Sequence, residues 1–201
     1  EEGYETPKPL ILVSGMPMAI QAMNDMPNTD VQRYILRNDM DGLTKLIYEI
    51  SHTSENPSFK VIDAVTDGQA TTCVLGSNDL ALDQPVTIAA CDNGMLYDSG
   101  KFNDLMLDDD IDVIVWGARG YPGAIRSPKM YGWIETENST DKINHISVKE
   151  PLNNPDTDPI VVGAFTFKKL SYFLDAVKSM KFRQAKVNEE YYVDMAINDA
   201  I

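Results

Sequence analysis

A single lysine, Lys8, stands between two prolines in the stretch Thr6-Pro7-Lys8-Pro9, directly before an apolar run. Proline fixes its own φ angle and disfavours helical backbone in the residue before it, so we expect an extended and stiff segment. A lysine held on such a segment could meet one particular anion. The alternative is an ordinary proline-rich connection into a strand, with Lys8 solvated.

A carboxylate, Asp92, comes two residues after the apolar run at 85–90 and forms the sequence Asp-Asn-Gly with Asn93 and Gly94. At the carboxyl end of a buried strand it is well placed for Mg²⁺, which binds one or two carboxylates together with substrate phosphate oxygens. The alternative is a simple turn, because all three residue types are favoured in turns.

A third candidate is the loop that contains Gly68, Gln69 and Thr71. Gly68 lies at a strand-to-helix junction, where the missing Cβ would let a flat ligand approach the backbone. Gln69 offers a donor and an acceptor and Thr71 offers a hydroxyl, and together these groups could recognise the edge of a nucleobase. The alternative is a plain helix N-terminus with a cap.

Lys149 lies at the end of a strand-like segment and could pair with an anion, although a lone lysine is usually a surface residue. Gly132 and Gly163 lie inside two other strand-like segments. An isolated glycine in a strand marks a bulge or a close approach to the backbone. A sugar ring could be the group that approaches.

Alternating strands and helices must position these residues. Apolar β-rich runs predict strands at 31–37, 59–65, 85–90, 111–118, 131–137, 142–150 and 159–168. Helical spacing predicts helices at 40–50, 67–77, 100–109, 169–180 and 188–201. The alternation up to residue 120 predicts an α/β sandwich with a mainly parallel sheet, and the later strands an antiparallel extension. Ligands bind at the carboxyl ends of the strands in such sheets, where Gly68 and Asp92 fall.

Composition restricts the classes of function. The 201 residues favour a single domain with a buried core, and the formal net charge of −14 argues against a general nucleic-acid binder. Apolar runs fall far short of the roughly 20 residues that span a bilayer, so no membrane partner is expected. The two cysteines lack Cys-x-x-Cys spacing and suit a reducing cytoplasm.

In chain order, the segments TPKPLILVSGMPM, TDGQATT, ACDNG, YGWIE, VKEP and VVGAFTF resemble the nucleotidyltransferases that make nucleoside-diphosphate sugars. The resemblance covers residues 3 to about 199, and the Pro-Lys-Pro segment and Asp92 are its most specific parts. It implies a Rossmann-like, GT-A-type three-layer α/β sandwich with a mixed, mainly parallel central sheet. Residues 1–201 would form one nucleotidyltransferase domain.

The resemblance also implies a reaction in which a sugar 1-phosphate attacks the α-phosphate of a nucleoside triphosphate (NTP) and releases pyrophosphate, with Mg²⁺ as cofactor. It implies catalytic roles for Lys8 and Asp92, and Asp92 and Asp194 as metal ligands. The implied nucleotide-binding residues are Gly68, Gln69 and Thr71. The implied sugar-phosphate-binding residues are Gly132, Lys149, Gly163, Glu190 and Asp194. The product would serve polysaccharide synthesis in the cytoplasm, and a homo-oligomer stays open.

Two departures from the family pattern bear on this interpretation. The family has a Gly-rich phosphate loop upstream of Pro-Lys-Pro, which this sequence lacks, and Val148 stands where the family more often has glutamate. We expect a piece trimmed at both ends from a longer enzyme. The alternatives are a non-catalytic nucleotide-sugar-binding or regulatory domain, and a cytidylyltransferase that uses a non-sugar phosphate.

Overall fold

The structure, a computed structural model, describes residues 6–137 and 140–201. The predicted turn at 137–141 lies partly outside these residues. The first five positions, including Gly3, lie wholly outside them. The described strands are β1 (Leu12–Val13), β2 (Met16–Pro17), β3 (Gln32–Arg37), β4 (Pro57–Ile62), β5 (Val86–Ala89), β6 (Val113–Ala118), β7 (Gly132–Thr136), β8 (Ile143–Val148) and β9 (Ile160–Phe167). The described α-helices are α1 (Met18–Asn24), α2 (Leu43–Thr53), α3 (Gln69–Ser77), α4 (Ser99–Leu107), α5 (Pro122–Arg126), α6 (Leu170–Phe182) and α7 (Val193–Ala200).

The first half of the chain contains a parallel pair of strands. β3 and β4 pair in register from Gln32 opposite Pro57 to Arg37 opposite Ile62, and α2 connects them. Their apolar side chains belong to a core that α1 and α2 also supply, formed by Leu10, Ala19, Ile20, Tyr34, Leu36, Leu46 and Ile50. This core anchors the turn at Lys8–Leu10, because Leu10 is one of its buried members.

The second half forms a five-stranded sheet around β9. β5 and β6 pair with opposite edges of β9, which explains why Phe165, Thr166 and Phe167 each have a partner in both strands. β7 pairs with the beginning of β9 and with β8. One side of this sheet is covered by α6 and α7, whose buried residues include Phe173, Val177, Met180, Val193 and Ile197.

The prediction of a mixed α/β fold is confirmed, but the prediction of a mainly parallel sheet is wrong. Both β5 and β6 run antiparallel to β9, which lies between them. These two strands therefore share a direction without pairing to each other. In the described part of the chain, β3 with β4 is the only parallel pairing.

Most predicted elements are present with small shifts of their bounds. β4 begins and ends before the predicted 59–65, and α7 begins at Val193, after the predicted start at 188. The short helices α1 and α5 were not predicted. The prediction that Lys8 is extended is wrong, because Lys8–Leu10 forms a 3₁₀ turn in which the Leu10 amide donates to the Pro7 carbonyl at 2.9 Å. Burial of Leu10 favours this turn over the extended backbone that proline usually imposes.

Among the described residues, every helix is too short or too polar to span a bilayer. Both cysteines are free thiols; Cys73 is partly buried and Cys91 is exposed.

Candidate functional site

Lys8 and Asp92 meet as an ion pair, although they lie 84 residues apart in the chain. The Lys8 ammonium donates a hydrogen bond to the Asp92 carboxylate, and this bond raises the pKa of Lys8 above its ordinary value. The two side chains remain 60% and 30% exposed. The structure thus places a positive and a negative side chain next to each other, and both are accessible to solvent and to ligands.

Separate packing contacts fix each partner of this pair. Lys8 begins the 3₁₀ turn whose last residue, Leu10, is buried in the core. On the other side, the Ala90 amide donates to the Gly163 carbonyl at 3.0 Å, which holds the chain just after β5. The pair therefore lies where the segment after β5 meets the turn at Lys8–Leu10.

Gly163 lies at a bulge in β9. Val115 and Gly117 of β6 are two residues apart, but their partners in β9, Phe165 and Val161, are four apart. Gly163 adopts a φ of +86° within this bulge, and a Cβ there would lie 3.1 Å from the Asn93 amide nitrogen. The structure therefore brings Gly163 to the Asp92 loop.

The donor set at Asp92 is compatible with Mg²⁺. A single accessible carboxylate is sufficient for this ion when substrate phosphates supply further oxygen ligands. The described residues contain no group of three or more His, Cys, Asp or Glu side chains that could hold a metal unaided. A metal at Asp92 would therefore depend on a phosphate ligand.

The loop that contains Gly68 packs against the backbone of Tyr191. The Tyr191 amide donates to the Asp67 carbonyl at 2.8 Å, and the Ala70 amide donates to the Tyr191 carbonyl at 3.0 Å. A Cβ on Gly68 would lie 2.5 Å from the Tyr191 nitrogen and oxygen. The space that the missing Cβ leaves is thus filled by the chain itself, whereas the sequence suggested a ligand there.

The side chains of this loop differ in their hydrogen bonds. The Thr71 hydroxyl donates a hydrogen bond to the Asp67 carboxylate, so only the lone pairs of the Thr71 oxygen remain for a ligand. Gln69 is the first residue of α3 and is partly buried. Its amide has no hydrogen-bond partner among residues 6–137 and 140–201, and it retains both a donor and an acceptor.

Gly132, Lys149, Glu190 and Asp194 are linked by contacts in a third group. The bare Cα of Gly132 faces the Asp194 carboxylate, which would overlap any Cβ at this position. The Lys149 ammonium donates to the Met130 carbonyl at 2.6 Å and lies 5.6 Å from the ring centroid of Tyr192. A hydrogen bond with Glu190 raises the pKa of Tyr192 to about 12. The residues predicted for the sugar phosphate thus lie together, except Gly163.

Asp194 has the most perturbed carboxylate of this group. Burial raises its pKa to about 6, and the nearby charge of Lys149 only partly offsets that effect. The Asp194 carboxyl group therefore ionises at a higher pH than an exposed aspartate, which titrates near pH 3.9. Its predicted role as a metal ligand stays a prediction.

Replacing Asp194 by asparagine is expected to raise the free energy of unfolding by about 3 kcal/mol at pH 8 and to change it little at pH 4. The raised pKa means that the folded protein retains a proton that the unfolded chain loses, so wild-type stability falls as pH rises from about 4 to 6. Asparagine has the shape of the neutral acid and removes this loss. Urea denaturation from pH 4 to pH 8 measures the difference; a gain that is equal at every pH would contradict the assignment.

The segment 190–194 connects the loop that contains Gly68 with the group that contains Lys149. Two residues of this segment were not predicted as part of the site. Tyr191 supports the Gly68 loop, and Tyr192 contacts Lys149 and Glu190. The sequence offers one signal for them, namely two adjacent aromatic residues between the acidic candidates Glu190 and Asp194.

Two cavities differ in their relation to these groups. A cavity of about 320 Å³ lies beside Asp92, and its apolar lining includes Val13, Met18 and Leu96. A larger cavity of about 560 Å³ is lined by Arg119 and by residues of the β7–β8 region and the loop before β9. None of the predicted site residues lines the larger cavity. The smaller cavity is lined by one of them, Asp92, and is therefore the one of these two that adjoins the candidate site.

Neither a protein-family model nor a curated protein sequence matches this chain. Solved structures do match. The nucleoside-diphosphate-sugar pyrophosphorylase from Vibrio cholerae RC9 aligns with a TM-score of 0.77 and 16% identity over 98% of this chain and 80% of that chain. The inositol-1-phosphate CTP transferase from T. maritima aligns with a TM-score of 0.68 and 12% identity over 99% and 74%. A UDP-glucose pyrophosphorylase complexed with UDP-glucose aligns with a TM-score of 0.66 and 13% identity over 96% and 77%.

At these identities the likeness shows a shared fold. The predicted resemblance to nucleoside-diphosphate-sugar pyrophosphorylases and related nucleotidyltransferases is thus confirmed at the level of fold.

Proposed function

We propose that this protein transfers a nucleotidyl group from an NTP to a sugar 1-phosphate, which gives a nucleoside-diphosphate sugar and pyrophosphate. The observation that carries the proposal is the contact of Lys8 with Asp92 beside the carboxyl end of β5. A cation and a carboxylate at one accessible point are what a magnesium triphosphate requires. The fold shared with known nucleotidyltransferases supports the same class of reaction.

Lys8 would bind the triphosphate and stabilise the negative charge that develops during transfer. Asp92 would hold Mg²⁺ together with phosphate oxygens, and the ion would neutralise further charge when bound. In the described structure these two residues neutralise each other. Binding of substrate would therefore exchange one ion pair for two separate contacts, with the ammonium turned to phosphate and the carboxylate turned to the cation.

In the reaction itself, an oxygen of the sugar phosphate attacks the α-phosphorus and forms a new oxygen–phosphorus bond. The bond from the α-phosphorus to the bridging oxygen breaks, and pyrophosphate leaves with that electron pair. Positioning and charge stabilisation supply most of the catalysis in such reactions. The chain therefore needs binding groups on both sides of Lys8 and Asp92 more than it needs a nucleophile.

We assign the nucleotide to the Gly68 loop, with Gln69 and Thr71 as the groups that contact the base. The free amide of Gln69 and the lone pairs of Thr71 support this assignment. Gly68 would act through its backbone, because Tyr191 occupies the space beside its Cα.

We assign the sugar phosphate to the group that contains Lys149. Lys149 would pair with the phosphate, and the remaining residues would contact the sugar; these are Gly132, Gly163, Glu190 and Asp194. Tyr192, which contacts Lys149 and Glu190, and the approach of Asp194 to Gly132 support a common pocket for these residues, which Gly163 would join from the side of the Asp92 loop. We also propose a GT-A-type three-layer arrangement, one domain over residues 1–201, Asp194 as a second metal ligand, and a cytoplasmic location.

A second candidate reaction is cytidylyl transfer to a non-sugar phosphate. It is favoured by the likeness to the inositol-1-phosphate CTP transferase, because inositol phosphate is a polyol phosphate and not a sugar. The two reactions differ in the acceptor and share the proposed roles of Lys8 and Asp92.

Release of pyrophosphate from ATP, CTP, GTP, UTP and dTTP tests both reactions, with sugar 1-phosphates, inositol 1-phosphate and phosphocholine as acceptors. We expect turnover with at least one pair, dependent on Mg²⁺. In Asp92→Asn we expect the Mg²⁺ titration to shift to higher concentration, because a carboxylate ligand is lost; an exposed aspartate elsewhere, as in Asp30→Asn, serves as the control. Nucleotide binding without turnover by the intact full-length protein would instead favour the non-catalytic binding domain.

A further inference from the structure

The Asp67 carboxylate joins the proposed base-binding loop to α6. It accepts a hydrogen bond from the Thr71 hydroxyl, and the Lys181 ammonium lies 3.6 Å from the same carboxylate. Lys181 is in the last turn of α6, far from the loop in sequence. Thr71 is therefore oriented by a chain of contacts that begins at Lys181.

The Tyr191 ring holds Lys181 in place. The Lys181 ammonium lies 5.0 Å from the ring centroid, and Tyr191 is only 7% exposed. Tyr191 also bonds to the loop through its backbone, at the Asp67 carbonyl and the Ala70 amide. Backbone and side-chain contacts thus converge on the same five residues, 67–71.

These contacts suit positioning better than fold stability. The Lys181 and Asp67 side chains are 35% and 43% exposed, and partly exposed ion pairs add little to stability. The contacts of Asp67 nevertheless act locally. The hydrogen bond from Thr71 lowers the pKa of Asp67, and the charge of Lys181 lowers it further. Asp67 therefore stays an acceptor at neutral pH, and Thr71 stays its donor.

We propose that Lys181 is a positioning residue for the nucleobase, which it serves by holding Asp67 so that Thr71 presents its lone pairs to an N–H group on the base. This inference rests on the proposed function, because it assigns the base to the same loop. It goes beyond the proposed function in two ways. It assigns a role to Lys181, which lies outside the proposed site, and it names the group on the base that Thr71 would recognise, a ring or exocyclic N–H donor.

The test compares Lys181→Met with Lys186→Met. The Lys186 ammonium lies 5.1 Å from the same Tyr191 ring, but in the described residues it makes no ion pair with Asp67. Methionine retains an apolar stem against the ring in both variants, so the two differ in the contact with Asp67.

We expect Lys181→Met to raise KM for the NTP about tenfold, the scale of one lost polar contact, with kcat changed less than about twofold. KM for the acceptor phosphate should not change. Lys186→Met should resemble the wild type, and Lys181→Arg should restore most of the affinity because it retains the charge. Equal KM values in the two methionine variants would overturn the positioning role, and so would parallel losses of kcat and thermal stability in Lys181→Met.

Calorimetric binding of the same NTPs separates this inference from the proposed function. Wild-type turnover with an unchanged Lys181→Met variant would overturn the inference alone. Weaker NTP binding by Lys181→Met, with no turnover by the wild type, would support the inference and overturn transfer. Absence of NTP binding by the wild type would overturn both.

Discussion

Replacing Lys8 by alanine is expected to lower kcat for pyrophosphate release by about 100-fold or more, the scale seen when one preorganised charge-stabilising group is removed. The Lys8 ammonium is the cation that touches Asp92, and its raised pKa keeps it charged throughout the neutral range. The charge that builds on the departing pyrophosphate would lose its nearest fixed partner. Steady-state pyrophosphate release, with the substrate pair identified for the wild type, measures the effect.

Loss of folding should not explain that result. The Lys8–Asp92 pair is partly exposed to solvent, and such pairs contribute at most about 1 kcal/mol to stability. Urea denaturation of Lys8→Ala should therefore differ from the wild type by no more than this amount. Lys45→Ala on an exposed position of α2 is the control for removal of a lysine. Unchanged kinetics in Lys8→Ala would show that Lys8 is structural and that the triphosphate lies elsewhere.

Local pattern was sufficient to locate Asp92 near the end of a strand, whereas Gly68 lies well beyond the end of β4 at Ile62. The apolar run of β5 predicts that Asp92 follows a buried strand, and the structure confirms the strand at Val86–Ala89. The same reasoning failed for the backbone at Lys8, since burial of Leu10 is a tertiary effect that the proline rule does not include. The position of Lys8 next to Asp92 depends on packing between the two halves of the chain.

Sheet order was beyond the reach of periodicity. Strand and helix patterns define β5, β6 and β9 separately, but nothing local indicates that β9 lies between the other two. That insertion makes the pairings antiparallel and brings the Gly163 bulge to the Asp92 loop. An isolated glycine in a strand predicts a close approach at Gly163, and the approaching group is the Asn93 side chain of the protein itself.

Gly68→Ala is expected to destabilise the protein by about 3 kcal/mol or more, in the absence of any ligand. Gly68 has a φ of +129° and a ψ of 171°, a conformation essentially restricted to glycine. The new Cβ would also lie 2.5 Å from two backbone atoms of Tyr191, which cannot rotate away as a side chain could. Urea denaturation gives the change in the free energy of unfolding.

The matched control is Gly100→Ala in α4, where the glycine has ordinary helical backbone and a Cβ would lie 3.2 Å from the carboxylate of Asp98, which caps the helix by accepting from the Gly100 and Lys101 amides. That variant should differ from the wild type by less than about 1 kcal/mol, because the preference of alanine for helix offsets a small shift of the cap. A Gly68→Ala protein with wild-type stability and weakened nucleotide binding would restore the first interpretation, in which the glycine makes room for a ligand. Loss of stability without nucleotide would show instead that glycine is required for the segment at Tyr191 to close on the loop, so that base recognition must come from Gln69 and Thr71.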